Sequence, residues 1–221
     1  MKYRPLYKVL ISIVVIYGFC FASCERCDME CNPKVLGEVF LQDSSLQLIR
    51  FRDQGQISMV NSNGAEYDFT YSDVEVSKLM LGANCVPFCD DDVCCDHFLA
   101  EQRKFSLEAD LLSLKFDFSL HVTGDFDFFD AVDTSATFTD VLLVDFRPSR
   151  LSVSPTKDSL PNSSTIFLDS LQIIDRVFYD VYTNHVWGRD TSSSLPLFSY
   201  FTKKLGIVGF ELHNGQKWEL K

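Results

Sequence analysis

The chain has 221 residues, with 20 basic and 31 acidic side chains and a formal net charge of −11. That acidic balance, with no cluster of Lys and Arg, excludes a phosphate backbone and so nucleic acid as a partner. Twenty Phe and eight Tyr beside two Trp supply aromatic bulk for a sheet interior, and the length suits one β domain with a proper core.

Lys2, Arg4 and Lys8 precede an apolar run over residues 10–21 broken only by Ser12 and Gly18. About a dozen apolar residues fit the core of a secretory leader and fall short of the ~20 that span a bilayer. Ala22 and Ser23 then lead into Cys24. The arrangement resembles a bacterial lipobox, with Phe21 where Leu is usual, and implies a leader over residues 1–23 and a mature chain starting at an acylated Cys24. Plain secretion with Cys24 in a disulfide, or an uncleaved anchor, are the alternatives.

Cysteine parity favours acylation. Of eight cysteines, Cys20 leaves with the leader, and seven would strand one thiol in an oxidising compartment. Committing Cys24 to lipid leaves Cys27, Cys31, Cys85, Cys89, Cys94 and Cys95 for three disulfides, in any of 15 pairings. The mature part carries 17 basic against 31 acidic residues, a net −14. Residues 24–35 form a short cysteine-bearing tether, and residues 36–221 one β-rich domain.

From residue 36 the text is β-like. Short runs at 39–41, 47–51 and 56–60 are separated by Asp43-Ser44-Ser45, Asp53-Gln54-Gly55 and Asn61-Ser62-Asn63-Gly64, which read as turns. Tyr67, Phe69 and Tyr71 alternate with polar residues, and residues 74–81 continue the pattern. No helix-length segment separates the runs, so a meander of hairpins is expected rather than βαβ units.

The segment from Cys85 to Cys95 carries Asp90-Asp91-Asp92, Asp96 and His97 in its vicinity. Adjacent Cys94-Cys95 do not fit a zinc pattern of spaced pairs, and outside the cytosol a disulfide-stapled loop is the better expectation. No metal or cofactor is assigned to it. Residues 98–109 read as a strand. Leu112, Leu114, Phe116, Phe118, Leu120 and Val122 then alternate strictly with polar residues, which marks a long antiparallel strand with one wet face. His121 falls on that face as a surface histidine. Asp125, Asp127, Asp130 and Asp133 carry oxygen ligands of the calcium type, but their spacing departs from an EF-hand loop.

Residues 138–146 read as a strand, residues 149–164 as a long loop with Pro155 and Pro161, and residues 165–168, 171–174 and 177–182 as three further strands. Two closing hairpin strands, 206–212 and 216–220, flank His213-Asn214-Gly215. A three-residue loop with Gly215 left-handed sets Trp218 opposite Phe210, Leu220 opposite Val208 and Lys217 opposite Glu211, which sorts apolar from charged faces.

The run Tyr200-Phe201-Thr202-Lys203-Lys204-Leu205-Gly206-Ile207-Val208-Gly209-Phe210, then Asn214-Gly215 and Trp218-Glu219-Leu220, resembles the end of a family of Bacteroidota cell-envelope lipoproteins. The stretch around Val177-Phe178-Tyr179-Asp180-Val181-Tyr182 is similar to the strand that commonly precedes it. The resemblance covers the leader and roughly the last fifty residues. It implies a β-rich fold and an outer-membrane envelope location, and it brings no activity.

The expectation is therefore an all-β chain, an antiparallel meander forming a sandwich or rolled half-barrel. It is lipid-anchored at Cys24 and works as a non-catalytic binding or assembly module for an envelope protein or glycan. A carrier of an apolar ligand in a Phe-lined concave sheet is the alternative. An enzyme is not expected: His97, His121, His185 and His213 lie in no His-Glu-x-x-His motif, and there is no Gly-x-Ser-x-Gly elbow.

Overall fold

The computed structural model describes residues 35–82, 97–125, 137–147, 149–155, 164–184 and 196–221. The leader, the tether up to residue 34, Cys24, Cys27, Cys31, Cys85, Cys89, Cys94, Cys95, Asp127, Asp130, Asp133, His185 and the Ser- and Pro-containing segment 156–163 lie outside the described residues.

The described chain is all-β. In order it forms β1 (Val35–Val39), a one-turn helix α1 (Asp43–Gln47), a 3-10 segment (Arg50–Gln54), β2 (Gln56–Asn61), β3 (Glu66–Tyr71), β4 (Glu75–Leu81) and β5 (His97–Ala109). A second 3-10 turn (Asp110–Leu112) leads to β6 (Leu114–Asp125), β7 (Thr137–Phe146), β8 (Ser149–Val153), β9 (Thr165–Gln172), β10 (Val177–Asn184), β11 (Pro196–Thr202), β12 (Gly206–Leu212) and β13 (Lys217–Leu220).

All thirteen strands join one sheet, in the order β8-β7-β6-β5-β3-β2-β13-β12-β11-β10-β9. The last strand pairs with β2, and the two ends of the row, β8 and β9, are consecutive in the chain. The meander therefore runs almost all the way round a barrel, and side chains bridge the remaining seam. Ser149 Oγ donates to Asn184 Oδ1 at 2.8 Å and sits 3.0 Å from Ser199 Oγ, while the Ser152 N–H donates to Thr165 Oγ1 at 2.8 Å. Two strands lie off this path: β1 pairs in parallel, and β4 antiparallel, with the first half of β5.

Alternation fills the bore. Phe116, Phe118, Leu120 and Val122 of β6 are essentially fully buried, while Lys115 and Asp117 between them are exposed. The aromatic side chains form two layers. Phe51, Tyr71, Phe105, Phe118 and Phe201 make the first, with Phe105 and Phe118 stacked at 4.6 Å. Phe69, Phe116, Phe146, Phe210 and Trp218 make the second, with Phe116 on Phe146 at 3.9 Å and Phe210 on Trp218 at 5.4 Å.

Residues 47–51 are not a strand, as their apolar and aromatic content suggests. They span the end of α1 and the start of the 3-10 segment and plug one end of the barrel, burying Leu48, Ile49 and Phe51. Phe51 reaches the centre of the bore, where its ring lies 5.6–6.1 Å from those of Tyr71, Phe105, Phe118 and Phe201, on four different strands. A ring buried among four strands loses more apolar surface to water than one on a rim strand would. The Leu41 N–H donates to Glu101 Oε2 and the Gln42 N–H to Asp140 Oδ2, which fix its approach.

Two further expectations are corrected. Residues 149–153 form β8 rather than opening a loop, because Leu151 and Val153 bury fully against the seam. Asp169-Ser170 does not divide two strands: β9 runs unbroken, with both residues exposed on a solvent-facing course that tolerates them. In β10 the alternation breaks at Asp180, whose positive φ of 55° turns Val181 and Tyr182, both buried, into different apolar clusters.

The closing hairpin has the expected register: Phe210 faces Trp218 and Glu211 faces Lys217, with Gly215 at φ 86°. Against its outer face docks the β9–β10 turn. Glu219 Oε2 accepts the N–H groups of Ile174, Asp175 and Arg176 at 3.0–3.2 Å, and Arg176 Nη1 donates to the Leu220 carbonyl at 2.6 Å. Gly209 makes room for it. A Cβ there would lie 2.5 Å from Ile173 Cδ1 and 2.4 Å from the Trp218 carbonyl.

Candidate functional site

The plug closes one end of the barrel; the other end is open. Leu112, Leu114 and Phe146 on one side face Leu212, Gln216 and Trp218 on the other across a depression of about 620 Å3. β6 and β13 are separated in the sheet by β5, β3 and β2, so a hollow lined by both lies across the mouth of the barrel. Its floor is apolar, from the buried Phe146, Leu212 and Trp218 and the half-buried Leu112 and Leu114. Its rim is charged and of mixed sign: Lys115, Asp117, Asp145 and Arg147.

The rim charges are partly paired. Lys115 Nζ bonds Glu108 at 2.8 Å and lies 3.4 Å from Asp117, and Arg150 bonds Asp145 at 2.6 Å. Lys115 holds the Glu108 carboxyl below its usual range, with help from the Ser106 hydroxyl, and Glu108 in turn raises Lys115. Both stay ionised near neutrality. Arg147 makes no ion pair among the described residues and leaves a guanidinium at the lip.

A second depression of about 600 Å3 lies beside the mouth, where β3 runs past the end of its short pairing with β5. Tyr67, Tyr71, Ser72, Glu108 and Asp110 line it. The turn between the two hollows carries Leu111, which is 90% exposed.

His121 occupies the polar face of β6 as expected, but it is half-buried rather than at the open surface. Its Nδ1 lies 3.3 Å from both the Oγ and the carbonyl oxygen of Ser119, and Ser119 Oγ accepts from Gln102 Nε2 at 2.8 Å. Burial lowers the ring's pKa from its ordinary 6.5, against the opposing pull of the Ser119 carbonyl and Asp140. The imidazole is neutral at pH 7, a hydrogen-bonded member of the wall.

Among the residues singled out from sequence, Asp125 is the last residue of β6, and its companions Asp127, Asp130 and Asp133 fall outside the described residues, as do Cys24 and the six disulfide candidates. Among the described residues no group of three His, Cys, Asp or Glu side chains is placed to hold a metal, and no helix is long and apolar enough to cross a membrane. The mouth residues escaped the sequence reading because they come from four strands and three turns, and only tertiary closure brings Leu112 to Trp218.

Neither a family model, nor a curated protein, nor a solved structure matches this chain.

Proposed function

We propose that the protein is an envelope lipoprotein, held to the outer membrane by an acyl chain on Cys24, that acts as a non-catalytic binding or assembly module. It engages an envelope protein or glycan at the open mouth. The observation that carries this is the contrast between the two ends of the barrel. One is sealed by the plug around Phe51, and the other leaves an apolar floor inside a charged rim of mixed sign. An apolar centre with a polar, partly solvated edge is the composition of a protein-recognition surface. The leader and the odd cysteine count supply the anchor. Six remaining cysteines brace the body as disulfides.

Affinity capture from native envelopes tests this, with the wild type run beside Leu112→Arg and Arg147→Glu. Arg147 is exposed and Leu112 is half-buried against the core, so circular dichroism of each variant is read beside the capture to show that it is folded. A partner held by the wild type and lost from both variants is the expected outcome; a partner retained by both would place binding elsewhere.

A carrier of an apolar ligand is the second reading, favoured by Leu112, Leu114, Leu212 and Trp218 at the mouth. The described core phenylalanines pack against one another, so the ligand would sit at this floor rather than between them. Lipid in an organic extract of gently purified protein, lost on Leu112→Arg, would favour the carrier over the assembly module.

A further inference from the structure

We propose that the plugged end of the barrel lies against the bilayer surface, along the outward sides of β4 and of β1 with Phe40 just beyond it, so that the mouth points away from the membrane. The proposal rests on acylation at Cys24 and adds an orientation to it.

Reach is the first observation. β1 begins at Val35, opposite His97 at the start of β5. The thirteen residues of β5 then run to Ala109 beside the mouth, a length of ~40 Å at ~3.3 Å per residue. The eleven steps from Cys24 to Val35 span at most ~40 Å when fully stretched. Turning the mouth to the bilayer would require the whole tether to be extended along the barrel wall, at a large cost in chain entropy.

The distribution of exposed apolar side chains is the second. Phe40, Val76 and Met80 are 61–63% exposed, and Val35 is 47% exposed. β1 and β4 flank the same stretch of β5, and Lys78 on β4 bonds Glu38 on β1, which joins their outward sides. Val76, Lys78 and Met80 alternate with the half-buried Ser77, Leu79 and Leu81, so they leave β4 together. Two apolar side chains around one lysine suit the interface. The Val76 and Met80 side chains enter the headgroup layer, while the Lys78–Glu38 ion pair stays at its hydrated edge.

The test uses full-length acylated protein in vesicles of phosphatidylethanolamine and phosphatidylglycerol that contain brominated lipid. Phe40→Trp, Met80→Trp and Leu111→Trp are compared, all at exposed positions that leave the core intact. The fluorescence added at positions 40 and 80 is expected to be quenched severalfold more than that at 111, over the background of the native tryptophans. Equal quenching at all three positions, or stronger quenching at 111, overturns the orientation. Changes at 40 and 80 that track protein density rather than brominated lipid would assign this face to a second copy of the chain and also overturn it. A mature amino terminus without lipid would instead remove the anchor itself, which is read separately by mass.

Discussion

At the residue scale, single atoms decide. Gly209 is held by the Trp218 carbonyl on one side and Ile173 on the other. Gly209→Ala should therefore cost about 3 kcal/mol, the upper part of the range for overpacking, because one neighbour is backbone and cannot rotate away; urea unfolding measures it. Tyr71 is the opposite case. Its hydroxyl is buried without a hydrogen-bond partner among the described residues, and burial raises its pKa. Removing an unsatisfied buried group relieves its desolvation cost, so Tyr71→Phe should leave stability unchanged or raise it by up to ~1 kcal/mol. A clear loss of thermal stability would show that the hydroxyl has a partner.

His121 gives a pH dependence with a definite sign. Its folded pKa lies below 6.5, so the unfolded chain takes up a proton first as pH falls. The stability it contributes is fully present above pH 6.5 and is lost as pH drops through the window below that value. Lys104 opposes the charged form, while Asp140 and the Ser119 carbonyl favour it. His121→Gln should flatten the decline between pH 7 and 5 relative to wild type, in paired denaturation series; an unchanged slope would mean that the decline comes from carboxylates.

At the scale of elements, the plug is the piece whose loss should matter most. Phe51 contacts four strands and faces Gly206 of a fifth, where a Cβ would come within 2.6 Å of its ring. Phe51→Ala should cost about 3–5 kcal/mol, the range for a large aromatic removed from a packed core, read as a lowered urea midpoint with little change in slope.

The plug is also the element that sequence conceals. Leu46, Leu48, Ile49 and Phe51 carry the residue types of a strand, and one helical turn is too short to establish a 3.6-residue period. β8 is hidden for a related reason: five residues beside Pro148 and several serines read as loop until the seam buries Leu151 and Val153. β6 and the closing hairpin were legible because their alternation is long or their turn glycine fixes the register. The motif residues of the C-terminus have structural tasks here. Gly206 meets Phe51, Gly209 admits Ile173, Phe210 stacks on Trp218, and Glu219 clasps the β9–β10 turn.

At the scale of the whole molecule, the chain divides its labour between two ends. The interior is occupied by its own aromatic layers, and the two ends differ: a mouth with an apolar floor, and an opposite end that carries the plug and the start of β1. Composition alone supplied the expectation that nucleic acid is not the partner. The mouth itself was unreadable, because it gathers residues from 112 to 218. Anchor, orientation and mouth form one proposal, in which an acidic barrel stands on a lipid and offers its open end to another envelope component.

The anchor at Cys24 underlies that proposal, and intact-mass and amino-terminal peptide spectrometry of protein extracted from its native membrane tests it most directly. The expected result is a chain starting at Cys24 with a fatty-acyl thioether on its sulfur. A bare amino terminus, or a chain that still carries residues 1–23, would contradict it.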